Sequence, residues 1–219
     1  MNMLEQGVGM TSARTRRRLI ELLRSLGVQD ETVLSVMFET PRHLFLDEAL
    51  RHLAYENTSL SIGHHQTISQ PYVVALMTEL ANAGTSGVKR ILDIGTGCGY
   101  QAAVLSQLAD WVFTVERIEE LSFSARERLQ QLGYKNISYL CGDGYRGWHQ
   151  KAPFDAIIVA AAPPEVPQAL KQQLAVGGRL VIPVGGDEQQ NLRVITRTAG
   201  GFDEQIREPV MFVPLVAGQ

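Results

Sequence analysis

The stretch Arg90-Ile-Leu-Asp-Ile-Gly-Thr-Gly-Cys-Gly-Tyr100 decides the fold. Its first five residues are apolar except for Asp93 after the opening Arg90, which suits a strand covered on both faces. Three glycines at alternate positions then lead into a helical pattern. Without side chains, Gly95, Gly97 and Gly99 let the backbone approach a ligand at the carboxyl edge of a parallel sheet, where open α/β sheets bind ligands. A dinucleotide loop would read G-x-G-x-x-G, whereas here the sixth position is Tyr100. The spacing favours a nucleoside ligand without a pyrophosphate.

Downstream, short apolar runs alternate with amphipathic helices, the pattern of a doubly wound parallel sheet. Strands are expected at 90–94, 111–116, 137–141, 156–159 and 178–184, with helices at 101–108, 118–132 and 165–174. The tail reads as an antiparallel pair, 191–198 and 205–213, parted by Ala199-Gly200-Gly201. Two further acids stand at successive strand ends. Glu116 is placed to accept hydrogen bonds from ribose hydroxyls, and Asp143, within Gly142-Asp-Gly144, to accept from an adenine amine. Each alone reads equally well as a strand end or a turn. Three acids, Asp93, Glu116 and Asp143, gathered by one sheet into one crevice favour a nucleoside site.

Upstream the chain is helical. Leu19, Ile20, Leu22, Leu23 and Leu26 recur at helical spacing before Gly27. A second helix is capped by Asp30 and stopped by Thr40-Pro41, and a short third covers 47–53. Residues 55–70 lose any period and read as a polar loop of the kind that often carries function. Ser69-Gln70-Pro71 then opens a helix to Leu80, with Ser69 as its cap. The fold expected is thus α/β, doubly wound and mostly parallel, with an N-terminal helical extension and antiparallel C-terminal strands. Residues 1–80 form the helical segment and substrate loop, packed on a core of 81–219.

Composition fits an ordinary soluble globular protein: 219 residues, 45% hydrophobic, 20% charged, formal net charge −3. No apolar run approaches the ~18 residues of a membrane span, and Met1 to Met10 lacks the pattern of an export signal. A cytoplasmic location, no membrane and a monomer are the expectations. A pI near 6.0 argues against a nucleic-acid partner, and the Arg14 to Arg18 cluster reads as a solvated helix face. Cys98 and Cys141 lack metal or redox spacing, so both are expected reduced and partly buried, with no metal.

Ser61-Ile-Gly-His-His-Gln-Thr-Ile-Ser-Gln-Pro-Tyr72, Phe154-Asp-Ala-Ile-Ile-Val-Ala-Ala-Ala-Pro-Pro164 and Phe212-Val-Pro-Leu215 resemble the protein-L-isoaspartate O-methyltransferase family of class I methyltransferases. Pro41-Arg42 and Phe45-Leu-Asp-Glu48 extend the resemblance from about Thr15 to the C-terminus. The resemblance implies methyl transfer from S-adenosylmethionine, leaving S-adenosylhomocysteine, to the free α-carboxylate of L-isoaspartyl residues in damaged proteins and peptides. The ester then closes to a succinimide, which begins repair. On the cofactor it implies Gln66, Thr67, Ile68, Asp93, Gly95, Thr96, Gly97, Gly99, Glu116, Arg117, Asp143 and Gly144, with Asp93 facing the methionine moiety. Ser69 is implied as the catalytic residue, and Ser69, Val213, Pro214 and Leu215 as contacts of the substrate. Bacterial members of the family usually carry Pro and Gly where this chain has Ser61 and His65, and commonly Gln where it has His64. A histidine at a glycine position matters if that backbone has positive φ.

The chemistry asks for little proton transfer, because a carboxylate is already ionised at neutral pH. Alignment and exclusion of water do the work. His64 and His65 are therefore read as solvent-facing. From the residues alone, capping is the favoured role for Ser69, and the resemblance reverses that order. Other readings stay open at this level: a methyltransferase for RNA or a small molecule, a nicotinamide oxidoreductase, and a non-catalytic adenosyl-binding protein.

Overall fold

A computed structural model describes residues 9–82 and 87–218. Most of the Met1 to Met10 stretch lies outside the described residues. Helix α1 (Ala13–Ser25) ends in a turn where Gly27, at φ 103°, reverses the chain. Helix α2 (Glu31–Glu39) begins under Asp30, whose Oδ1 accepts from the backbone N–H of Thr32 and Val33 at 2.9 and 3.1 Å. The third helix expected at 47–53 is a 3₁₀ turn, Glu48–Leu53, preceded by another at Arg42–Phe45.

The segment 55–70 is not a loop throughout. Strands β1 (Leu60–Gly63) and β2 (Gln66–Ile68) pair antiparallel around His64 and His65. Both histidines have positive φ, 51° and 56°, as a two-residue hairpin turn that follows strand twist requires. Asn, Asp or Gly normally fills such positions, so the polar composition hid the hairpin. Left-handed backbone costs a side chain ~1 to 2 kcal/mol, partly offset by the extra freedom glycine has when unfolded. His65→Gly should therefore raise stability by about 0.5 to 1 kcal/mol, read as a shift in urea midpoint. No gain would mean that the imidazole makes a compensating interaction.

Helix α3 (Pro71–Asn82) leads to the sheet, which is formed by β3 (Arg90–Ile94), β4 (Trp111–Glu116), β5 (Ile137–Cys141), β6 (Phe154–Val159), β7 (Leu174–Gly185), β8 (Gln190–Thr198) and β9 (Gly201–Val210). The order is β5-β4-β3-β6-β7-β8-β9. The first five run parallel, and β8 and β9 close the sheet antiparallel. Three intervening helices are α4 (Tyr100–Leu105), α5 (Glu119–Gln131) and α6 (Gln168–Gln172). All are shorter than the sequence pattern suggests. The segment expected as helix from 165 yields only five residues because Pro167, at the position before the first turn, sets its start. Strand β7 starts four residues earlier than expected and β9 covers 201–210 rather than 205–213.

Successive strand residues alternate between two apolar layers. Ile91, Val112 and Ile158 pack with Leu23 and Leu34 from the N-terminal helices, whereas Leu92, Phe113 and Ile157 pack with Leu170 on the other face. Two expectations about polar residues fail here. Arg16 is buried, donating to the carbonyl of Phe38 at 3.2 Å and lying over its ring, so the arginine cluster is solvated only in part. Cys98 is buried but Cys141 is exposed, and neither is in a disulfide.

Candidate active site

The chain leaves β3, builds β4 and β5 on one side, and returns to place β6 on the other. That reversal opens a crevice beyond the carboxyl end of β3, where ligands bind in such sheets. Two backbone bonds hold the crevice walls: Gly95 N–H donates to Val115 at 2.8 Å and Ala160 N–H to Ile94 at 2.8 Å. Gly95 and Gly97 have φ of 93° and 52°. A Cβ on Gly97 would stand 3.1 Å from the Ile62 side chain, so the hairpin closes down on the glycine loop. The hollow is lined by Gln66, Thr67, Gly95, Gly97, Glu116, Arg117, Gly144, Val213, Pro214 and Leu215, which brings together most of the residues singled out above. Ile68, Thr96 and Ser69 line an adjoining hollow, and Thr67 and Ala160 border both.

The three acids occupy different levels. Glu116 is 7% exposed; Oε2 accepts from Gly97 N–H at 2.9 Å and Oε1 from Ile118 N–H at 3.0 Å. It shapes the glycine loop and still has acceptor capacity facing the hollow, since each carboxylate oxygen has two lone pairs. Asp143 Oδ1 caps the following turn through Tyr145 N–H at 2.9 Å, and Oδ2 accepts from Gly218 N–H at 3.1 Å. Asp143 does not line this hollow but a separate one, with Gly142, Arg146 and Gly218.

Asp93 lies beneath the glycine loop and is fully buried. Register sets it beside Thr114 on β4, whose hydroxyl donates to Oδ2 at 2.8 Å, and the Thr114 and Thr96 hydroxyls are 2.5 Å apart. Because Thr114 spends its proton on Asp93, Thr96 donates to Thr114, and the carboxyl steadies the glycine loop through two hydroxyls. Oδ1 has no hydrogen-bond partner. Burial pushes this carboxyl up to about 7, opposed by the Thr114 bond and assisted by the negative charge of Glu116. A carboxyl raised in the folded state stabilises the fold fully below its unfolded value of 3.8, and that contribution is lost as pH rises through about 7. Asp93→Asn, which mimics the protonated acid, should flatten stability between about pH 4 and pH 7. Denaturant titrations across that range check it, and an unchanged slope would assign the pH dependence elsewhere.

Gly99 serves packing rather than the crevice, since a Cβ there would meet Leu129 at 2.9 Å. The strap after β9 is fixed by Gln190, which accepts from Phe212 N–H at 2.7 Å and donates to its carbonyl at 3.0 Å. Ala162 N–H donates to the Val213 carbonyl at 2.8 Å, and the Ala162 carbonyl accepts from Leu215 N–H at 2.9 Å. The strap thereby carries Val213 and Leu215 over the hollow.

Ser69 is half-buried; besides the adjoining hollow it lines a third with Met211, Phe212 and Val213. Its hydroxyl does not cap α3. Tyr72 N–H, in the first turn, is taken at 2.9 Å by Asn57 Oδ1, fifteen residues upstream. Helix capping leaves the Ser69 hydroxyl available. Sequence reasoning assigned no role to Asn57, Ala160 or Ala161: a long-range cap has no local signature, and alanines carry no chemical signal beyond being small at a strand end.

An open, mostly parallel sheet with this strand order and a crevice at its switch point defines a Rossmann-like class I methyltransferase fold. Two solved structures share it closely. One, a protein-L-isoaspartate O-methyltransferase, superposes with a TM-score of 0.81 at 29% identity over 91% of this chain and 65% of that one. The other, from Plasmodium falciparum and bound to S-adenosyl-L-homocysteine, gives 0.79 at 28% identity over 92% of this chain and 98% of that one. The family model for protein-L-isoaspartate(D-aspartate) O-methyltransferase matches residues 14–219, and the chain belongs to that family. Relatives of that name include those of Cellvibrio japonicus, 55% identical over 219 residues (99% of this chain, 98% of the relative), and Pseudomonas paraeruginosa, 56% identical over 209 (95% and 99%).

Proposed function

We infer that the chain methylates the free α-carboxylate of L-isoaspartyl residues in damaged proteins, with S-adenosylmethionine as donor. The observation that carries this reading is the Gln66 to Ser69 segment, held between the glycine loop and the strap with its serine hydroxyl unspent on the helix.

The chain's residues fit the cofactor. Gly95 and Gly97 leave a side-chain-free wall, Glu116 offers carboxylate lone pairs at the strand end, and Asp93 keeps an unpaired oxygen beneath the loop. When bound, S-adenosylmethionine supplies an electrophilic methyl group on a sulfonium. Glu116 would hold the ribose, Gly144 and the strap would close the adenine side, and Gln66 and Thr67 would separate the cofactor from the substrate hollow. Asp143 reaches the amine only by sharing the oxygen now bonded to Gly218.

Ser69 donates from its hydroxyl to one oxygen of the substrate carboxylate and leaves the other free to attack. No general base is needed, since the carboxylate is already ionised. Orientation is the larger contribution, worth several of the ~7 to 11 kcal/mol that positioning can supply. Val213 to Leu215 cover the reacting atoms and keep water from solvating the nucleophile.

Among the described residues no helix is long and apolar enough to cross a membrane, and no group of three His, Cys, Asp or Glu could hold a metal ion. Neither Cys98 nor Cys141 is in a disulfide, which suits a reducing cytoplasm. The test is incubation of an isoaspartyl peptide with methyl-labelled S-adenosylmethionine. The label should enter a base-labile ester and leave as methanol; label in a base-stable product, or methylation of RNA alone, would overturn the assignment.

A further inference from the structure

Arg42 is fully buried, and among the described residues its hydrogen-bond partners include no carboxylate. Its Nε donates to the Ala54 carbonyl at 2.9 Å and its Nη2 to the Ser69 carbonyl at 2.7 Å. The guanidinium carbon stands 4.8 Å from the centre of the Tyr100 ring. Burial lowers the pKa of Arg42 while Tyr100 opposes that shift, and a guanidinium keeps its proton in proteins. An interior cation without an anion is costly, and two backbone carbonyls alone could be held by a neutral donor.

The three partners belong to three segments. Ala54 closes the 3₁₀ turn Glu48–Leu53, Ser69 follows β2, and Tyr100 begins α4 directly after the glycine loop. One planar group therefore ties the substrate segment to the cofactor loop. Because the Ser69 side chain has no bond of its own to hold it, its backbone sets where the hydroxyl stands, and Arg42 holds that backbone.

We propose that Arg42 is a positioning residue for methyl transfer, fixing Ser69 relative to the glycine loop and placing a buried positive charge behind the site that receives the substrate carboxylate. It rests on the isoaspartyl reading of Ser69. Lysine keeps the charge but cannot form both bonds and the stack; methionine keeps the bulk but loses the charge.

The test measures kcat and KM for an isoaspartyl peptide, calorimetric affinity for S-adenosylhomocysteine, and thermal midpoints of Arg42→Lys, Arg42→Met, Ser69→Ala and Arg42→Lys/Ser69→Ala. Arg42→Lys should lower kcat/KM about 10- to 100-fold, the effect of misplacing a reacting group by about 1 Å. Arg42→Met should lose more, and cofactor affinity should change less than about threefold for either. Adding Arg42→Lys to Ser69→Ala should cost much less than it does alone, because the two act as a unit. Full activity of folded Arg42→Lys and Arg42→Met would overturn the proposal, as would additive losses or cofactor affinity falling in step with kcat/KM. Failure of both variants to fold would make Arg42 a folding residue and equally overturn it. Wild-type activity of Ser69→Ala would instead refute the reading of Ser69.

Discussion

Ser69→Ala should lower kcat/KM for an isoaspartyl peptide by roughly 10- to 150-fold, corresponding to about 1.5 to 3 kcal/mol for a hydrogen bond to a charged group. Ser69→Gly should do the same. Stability distinguishes this from a capping role: removal of a serine cap would cost about 0.5 to 2 kcal/mol, whereas here Asn57 takes the Tyr72 N–H. Asn57→Ala, not Ser69→Ala, should carry that cost. Thermal melts of the three variants beside steady-state kinetics check both halves. A folded, cofactor-saturated Ser69→Ala protein with near-wild-type turnover would remove the hydroxyl from the mechanism.

The second large effect is expected at Glu116. Its carboxylate binds Gly97 N–H and Ile118 N–H, so Glu116→Ala strips an acceptor from the crevice and leaves two backbone donors unpaired. Affinity for S-adenosylhomocysteine should weaken by about 1.5 to 3 kcal/mol, the range of charge-assisted bonds. A further loss of stability should accompany it, because the glycine loop loses its anchor. Glu116→Gln, which keeps one acceptor oxygen, should fall between. Calorimetry showing unchanged affinity for Glu116→Ala would place the ribose elsewhere, and tight binding of NAD would contradict the cofactor class.

The parallel strands were legible because β3 and β4 are short apolar runs covered on both faces, and their bounds and those of the edge strand β5 agree with the expectation residue for residue. The hairpin was not. Its turn uses two histidines at positive φ, where the usual sequence signal is glycine or asparagine, and its strands are short and half polar. The N-cap of α2 was legible in Asp30 because that cap is local, while the cap of α3 comes from Asn57 across fifteen residues. Arg16 and Arg42 defeat composition arguments for one reason: arginine is normally exposed, and its burial depends on carbonyls and rings supplied by distant segments.

The candidate site was legible where chemistry coincides with topology. Gly95, Gly97 and Glu116 follow from strand ends meeting at a switch point. The sequence did not indicate that Asp93 lies beneath the loop, linked to it through Thr114 and Thr96. Strand alternation puts residue 93 on the same face as Ile91, toward the helices, and only the three-dimensional register shows which hydroxyl meets it.

The central claim is that the site accepts a carboxylate displaced by one methylene along the backbone, and not the carboxylate of normal aspartate. The direct measurement is methyl transfer to two peptides of identical sequence, one with an isoaspartyl and one with an aspartyl linkage, at saturating S-adenosylmethionine. Transfer should be confined to the isoaspartyl peptide, since in-line geometry is sensitive to such a displacement. Equal transfer to both would contradict the account.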